Sequence, residues 1–160
     1  MNDMLPGFLV AAAFGIAVAN EGSATRWSGM IVFAIAAACG AFAPMPAIGN
    51  ERLHAACWIA VIACSASLHF PRALVSRASA VLALAAGASG GAAAALASAR
   101  MTVALLPLIA AATWLAARVA ARFVPVAPRV VSSWLIAVAL LAATLQMLPV
   151  TPGYLPDHLE

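Results

Sequence analysis

His69 lies at the end of an apolar run, with Ser65 one helical turn before it on the same face and Arg72 three residues beyond. Histidine titrates near neutral pH, so this pair is a candidate contact for a proton or a substrate. An interfacial histidine bonded to a backbone oxygen is the structural alternative. Gln146, with Thr144 and Thr113, would add polar lining if it faces inward. A second group combines carboxylate, imidazole and thiol: Glu51, His54 and Cys57 recur at i, i+3 and i+6, and the tail carries Asp157 and His158. Such side chains together can hold a transition metal, which makes His54, Cys57 and His158 candidate ligands, although scattered polar groups at a water interface give the same pattern. Haem would need a second histidine from another span beside His54 or His69, and no span supplies one. No cofactor is expected.

The third feature is a run of small residues. Between Ala85 and Ala95 no side chain exceeds serine in size, and Gly87, Ser89, Gly90 and Gly91 sit in its middle. Ser79, Ala83, Gly87, Gly91 and Ala95 form one stripe at i, i+4, which lets another helix approach closely. The same glycines could also mark a point where a helix unwinds to offer backbone groups to a substrate. Packing is the simpler reading.

These residues are carried by a chain that is 66% hydrophobic and 8% charged, with a mean hydropathy of +1.05. Soluble domains are about a quarter charged. The expectation is an all-α polytopic membrane protein with about six transmembrane helices in one domain. The apolar runs place them near 4–19, 27–42, 53–70, 78–99, 101–121 and 130–148, with the small-residue fourth helix buried in the bundle. Leu5 to Ala19 could pass for a signal peptide. The segment before it holds Asp3 and no basic residue, so it is read as an uncleaved span. Pro44 either ends or kinks the second span, Pro107 is expected to kink the fifth near Leu106, and Arg118 to Arg129 reads as the longest connection.

The net charge of +3 comes with eight arginines and no lysine, all near span ends. They report orientation and give no reason to expect nucleic acid. Arg26, Arg72, Arg77, Arg118, Arg122 and Arg129 fall in the first, third and fifth connections, against Arg52 and Arg100 on the other side. The positive-inside rule then makes those three connections cytoplasmic and both termini external. Abundant alanine without lysine suits a GC-rich bacterial genome, hence an inner membrane.

No carboxylate lies inside a span, which weakens coupled transport by this chain alone. Paired carboxylates and a His-Glu-x-x-His zinc motif are absent, and no enzyme is expected. Cys39, Cys57 and Cys64 read as buried structural thiols. Cys57 and Cys64 lie about 10 Å apart along one helix, beyond disulfide reach. The functional expectation is a small transporter or permease, with the lipid bilayer as its surroundings and a homo- or hetero-oligomer as its working form. The alternative is a non-catalytic anchor or accessory subunit of a larger membrane complex.

Overall fold

The computed structural model describes residues 5–42, 50–96 and 103–147, and only the backbone of Asn50, Glu51, Arg72, Ala73, Arg77 and Met147. Six helices follow one another: α1 (Leu5–Val18), α2 (Ser23–Phe42), α3 (Asn50–Ser67), α4 (Arg72–Leu96), α5 (Leu105–Phe123) and α6 (Ala127–Met147). Four of them contain stretches long and apolar enough to cross a membrane: Ser23–Phe42, Ala78–Leu96, Leu105–Phe123 and Ala127–Gln146. This is the mark of a multi-pass membrane protein. Of the six expected spans, α1 and α3 fall short of that length. At 14 residues α1 extends only about 21 Å, against about 30 Å of hydrocarbon.

The innermost element is α1. Its sequence is apolar on every side, and its neighbours cover all but the face of Leu5, Phe8, Leu9 and Ala12, which is exposed at Leu5 and half-buried beyond it. It packs against α3, α4, α5 and α6, and Phe14 stacks on Phe33 of α2 with ring centroids 4.6 Å apart. Val10, Ala11 and Ala13 are fully enclosed, and the residues from Phe14 to Val18 are buried too. The expectation of a wholly buried fourth helix therefore needs correcting. In α4 the small-residue stripe is covered, with Ser79, Ala83, Gly87 and Gly91 buried, but Ala80, Val81, Leu84 and Ala85 face outward.

That stripe meets α2 in the most extensive helix–helix interface of the molecule. Without a strong hydrophobic force between helices in lipid, pairing relies on packing, and packing needs close backbones. A Cβ built on Gly87 would lie 2.5 Å from the Phe33 carbonyl oxygen and 2.8 Å from the Ala36 methyl. One on Gly91 would overlap the Ala37 carbonyl, and one on Gly40 of α2 would overlap that of Ala88. The glycines of both helices thus form one contact with backbone laid on backbone.

Prolines set the helix ends differently from expectation. Pro71 starts α4, its carbonyl accepting from Leu74 N–H and Val75 N–H, so Arg72 and Arg77 belong to that helix and not to a loop. Pro107, expected to kink the helix mid-span, instead sits in the first turn of α5, where its missing N–H has no partner to lose. α5 runs on through Arg118 and Arg122 to Phe123. Val124 then turns to extended backbone, as a residue before proline must, leaving 124–126 as the whole connection to α6. The Pro44 question falls outside the described residues, as do Arg100 and the tail with Asp157 and His158.

Candidate functional site

The first, third and fifth connections come together at one end of the bundle. Asn20, just past α1, borders a cavity shared with the ends of α3 and the start of α4, and a second pocket shared with the end of α5 and Pro128 of α6. Trp114 of α5 anchors this end. The guanidinium carbon of Arg26 lies 5.1 Å from its ring centroid and that of Arg118 5.9 Å away, both within cation–π range. The ring of Trp27 tilts against it at 6.4 Å.

His69 is part of this end but does not meet Ser65. Its Nε2 is 3.1 Å from Ser132 Oγ and 3.5 Å from Ser133 Oγ. Ser132 donates its hydroxyl proton to the Arg129 carbonyl at 2.8 Å, and Ser133 donates to the same oxygen at 3.0 Å. With both hydroxyls turned to that carbonyl, their oxygens are open to accept from His69 in its Nε2–H tautomer. The exposed histidine ties the end of α3 to the first turns of α6. His69→Ala is expected to lower the melting point in detergent slightly, by the equivalent of about 0.6 kcal/mol, the usual scale for one interhelical side-chain bond. His69→Gln, which keeps an N–H donor, should recover most of it; equal melting of His69→Ala and parent would show that the tie contributes nothing.

Ser65 is buried, and its Oγ has no hydrogen-bond partner among the described residues. Ser67, Ser79, Ser89 and Thr113 instead turn their hydroxyls back onto carbonyls of their own helices. Gln146 is exposed near the far end of α6, about 21 Å along the helix from Ser132, and does not join His69.

The residue that the polar-pattern reading misses is Glu21. A cavity of about 90 Å³ lies between the ends of α1 and α3 and the starts of α2 and α4, with Asn20, Glu21, Thr25, Ser67 and Ser76 in its wall. Glu21 Oε2 is sealed from solvent and has no hydrogen-bond partner among the described residues. Burial disfavours the charged form and raises the Glu21 pKa above the usual glutamate value. One signal was available in the sequence: Glu21 is the sole acidic residue in the three arginine-rich connections.

No family model, curated protein or solved structure matches this chain.

The glycine-rich centre and the metal candidates stand apart from this end. Against the expectation that no Gly-x-Ser-x-Gly nucleophile turn is present, Gly87-Ala88-Ser89-Gly90-Gly91 spells its letters. An elbow needs a sharp strand-to-helix turn, whereas these residues continue one helix and Ser89 donates to the Ala86 carbonyl at 3.3 Å. Nor does the helix unwind there. Cys57 Sγ donates across to the Ser89 carbonyl at 3.4 Å, joining α3 to α4. Cys57 and Cys64 are buried free thiols, as expected, but Cys39 is exposed. Among the described residues no group of three potential ligands gathers around Cys57 and His54, and His158 lies outside them. Trp58 is buried in the core.

Proposed function

We propose that the chain is a small transporter of a bacterial inner membrane, working as an oligomer with its arginine-rich end in the cytoplasm, and that Glu21 binds the transported or coupling cation. One observation carries this reading. A carboxyl oxygen of Glu21 is sealed from solvent with no hydrogen-bond partner among the described residues, beside a cavity where segments of α1 to α4 converge. A half-buried carboxyl with one oxygen sealed from water is costly to keep charged, and a cation or a proton relieves that cost. The cavity lies at the ends of the helices, which suits an entry site more than a midplane one. Glu21, with Asn20 and Thr25 beside it, thus replaces His69, Ser65 and Gln146 as the leading candidate group.

Glu21→Gln separates this reading from a structural role. In proteoliposomes holding a pH indicator, imposed potassium, methylammonium and proton gradients should produce fluxes through the parent protein that Glu21→Gln abolishes, while both elute alike from size exclusion. Parental flux in Glu21→Gln would sink the proposal.

The stability of the detergent-solubilised protein tests the same group without a substrate. Between the ordinary carboxylate pKa and the raised one, the folded chain holds a proton that the unfolded chain has lost. Stability is therefore greatest below the ordinary value and falls as pH rises through that window. Glu21→Gln should flatten this slope, and an unchanged slope would assign it to another group.

A further inference from the structure

A groove and a pocket adjoin on the side of the bundle where α5 and α6 meet. The groove, about 200 Å³, is walled by Ala116 and Ala120 of α5 and Val131 of α6 and floored by Ile16 of α1. Its surface is almost wholly apolar. At Ala117 and Pro128 it meets a pocket of about 240 Å³ that holds Asn20, Arg118 and Arg122. The arginines stand at i and i+4, neighbours on one helix face, and neither has an ion pair among the described residues. Like charges so spaced destabilise a helix unless an anion lies between them. The N–H groups that open α6 are already bonded to the Val124 and Val126 carbonyls, so the attraction for an anion here is that of the guanidinium groups.

Charge and shape together describe one kind of occupant. Arginine forks match phosphate oxygens, and Asn20 can donate to the same group. The apolar groove lies about a turn deeper along α5, where a chain leaving that phosphate would run into the bilayer. A free phosphate would use the pocket and leave the groove empty; a neutral lipid would use the groove and leave the arginines unpaired. We propose that this is a binding site for an anionic phospholipid, its phosphate held by Arg118, Arg122 and Asn20 and one acyl chain laid between α5 and α6. The site shares Asn20 with the Glu21 cavity but does not depend on the transport reading.

Binding is measured on the detergent-solubilised whole protein by native mass spectrometry and by thermal stabilisation. The probes are dioleoyl phosphatidylglycerol, dioleoyl phosphatidylcholine and inorganic phosphate. Phosphatidylglycerol should bind and raise the melting temperature, and the other two should do neither at equal concentration. Arg118→Gln/Arg122→Gln should weaken phosphatidylglycerol binding about thirtyfold. Arg129→Gln, which removes one charge from the same end outside the pocket, should bind as the parent does. Ala116→Phe should fill the groove and weaken the same lipid with both arginines in place. Equal stabilisation by phosphatidylcholine, an equal loss in Arg129→Gln, full stabilisation by phosphate alone, or unchanged binding in Ala116→Phe would each overturn the site. If the double variant does not fold, the comparison of Arg122→Gln with Arg129→Gln decides by the same criterion.

Discussion

Gly91→Ala is expected to break the α2–α4 interface, while Gly90→Ala, one residue away, leaves it standing. The methyl added at position 91 would overlap the Ala37 carbonyl, with the Ala37 carbonyl carbon at 2.7 Å and its Cα at 2.8 Å. These are backbone atoms and cannot swing aside as the tip of a side chain can, so the helices must separate. At Gly90 the nearest atoms are the Gly7 oxygen and Leu106 Cδ1, both at 3.7 Å, which is ordinary contact. Overpacking costs about 1–3 kcal/mol in soluble cores, and Gly91→Ala should lie at or above the top of that range because separation loosens the whole pair. Gly90→Ala should be neutral or slightly stabilising, since alanine favours a helix by about 1 kcal/mol over glycine. Membrane insertion is expected to be normal in both, and in Gly91→Leu as well, because leucine favours the bilayer. Equal melting temperatures for Gly91→Ala and Gly90→Ala would refute the interface described here.

Gly15→Ala should be as damaging, through a different pair of helices. A Cβ there would overlap the Ala110 carbonyl and Thr113 Oγ1 on α5. Thr113 is held in place, donating to the Ile109 carbonyl at 2.8 Å and lying 3.1 Å from that of Ala110. Because α1 also packs against α3 and α4, pushing it off α5 disturbs those contacts too. We expect a broad, early melting transition and a loss of about 3 kcal/mol. Adding Thr113→Ala removes the hydroxyl but leaves the Ala110 carbonyl, so the double variant should remain unstable. Recovery of parental stability in the double variant would locate the obstacle in the threonine instead.

The two glycines also show what a sequence of this kind reveals. The stripe through Gly87 and Gly91 is legible because side-chain size is itself the packing signal in a membrane. The central position of α1 is not legible. A helix apolar all round looks the same whether lipid or protein surrounds it, and α1 carries only Gly7 and Gly15 to hint at close neighbours. Apolar runs locate the helices, but prolines do not mark their ends in the way a terminator or a kink would. Pro71, Pro107 and Pro128 instead sit at or near helix starts, where the missing N–H is harmless. The Glu21 cavity was hidden for another reason. Its wall draws on Asn20, Thr25, Ser67 and Ser76, segments far apart in the chain, and no local spacing links them. His69 was visible as a residue, but its partner Ser132 lies 63 positions away and no local pattern announces it.

The enclosure of α1 has a consequence for biogenesis. α1 precedes in the chain every helix that covers it, and the last residue of α5 is made about a hundred residues after Val18. At translation rates of about 5–20 residues per second, that interval is roughly 5–20 seconds. Throughout it the helix must wait in lipid or inside the insertion machinery, and at about 21 Å it is too short for an undeformed bilayer. Its bare apolar surface makes the wait tolerable; the mismatch makes it strained. A ribosome that stalls between α4 and α5 would prolong exposure of a segment meant for the interior. Quality-control proteases would then act on the nascent chain according to the timing of synthesis, whatever the equilibrium stability of the finished bundle.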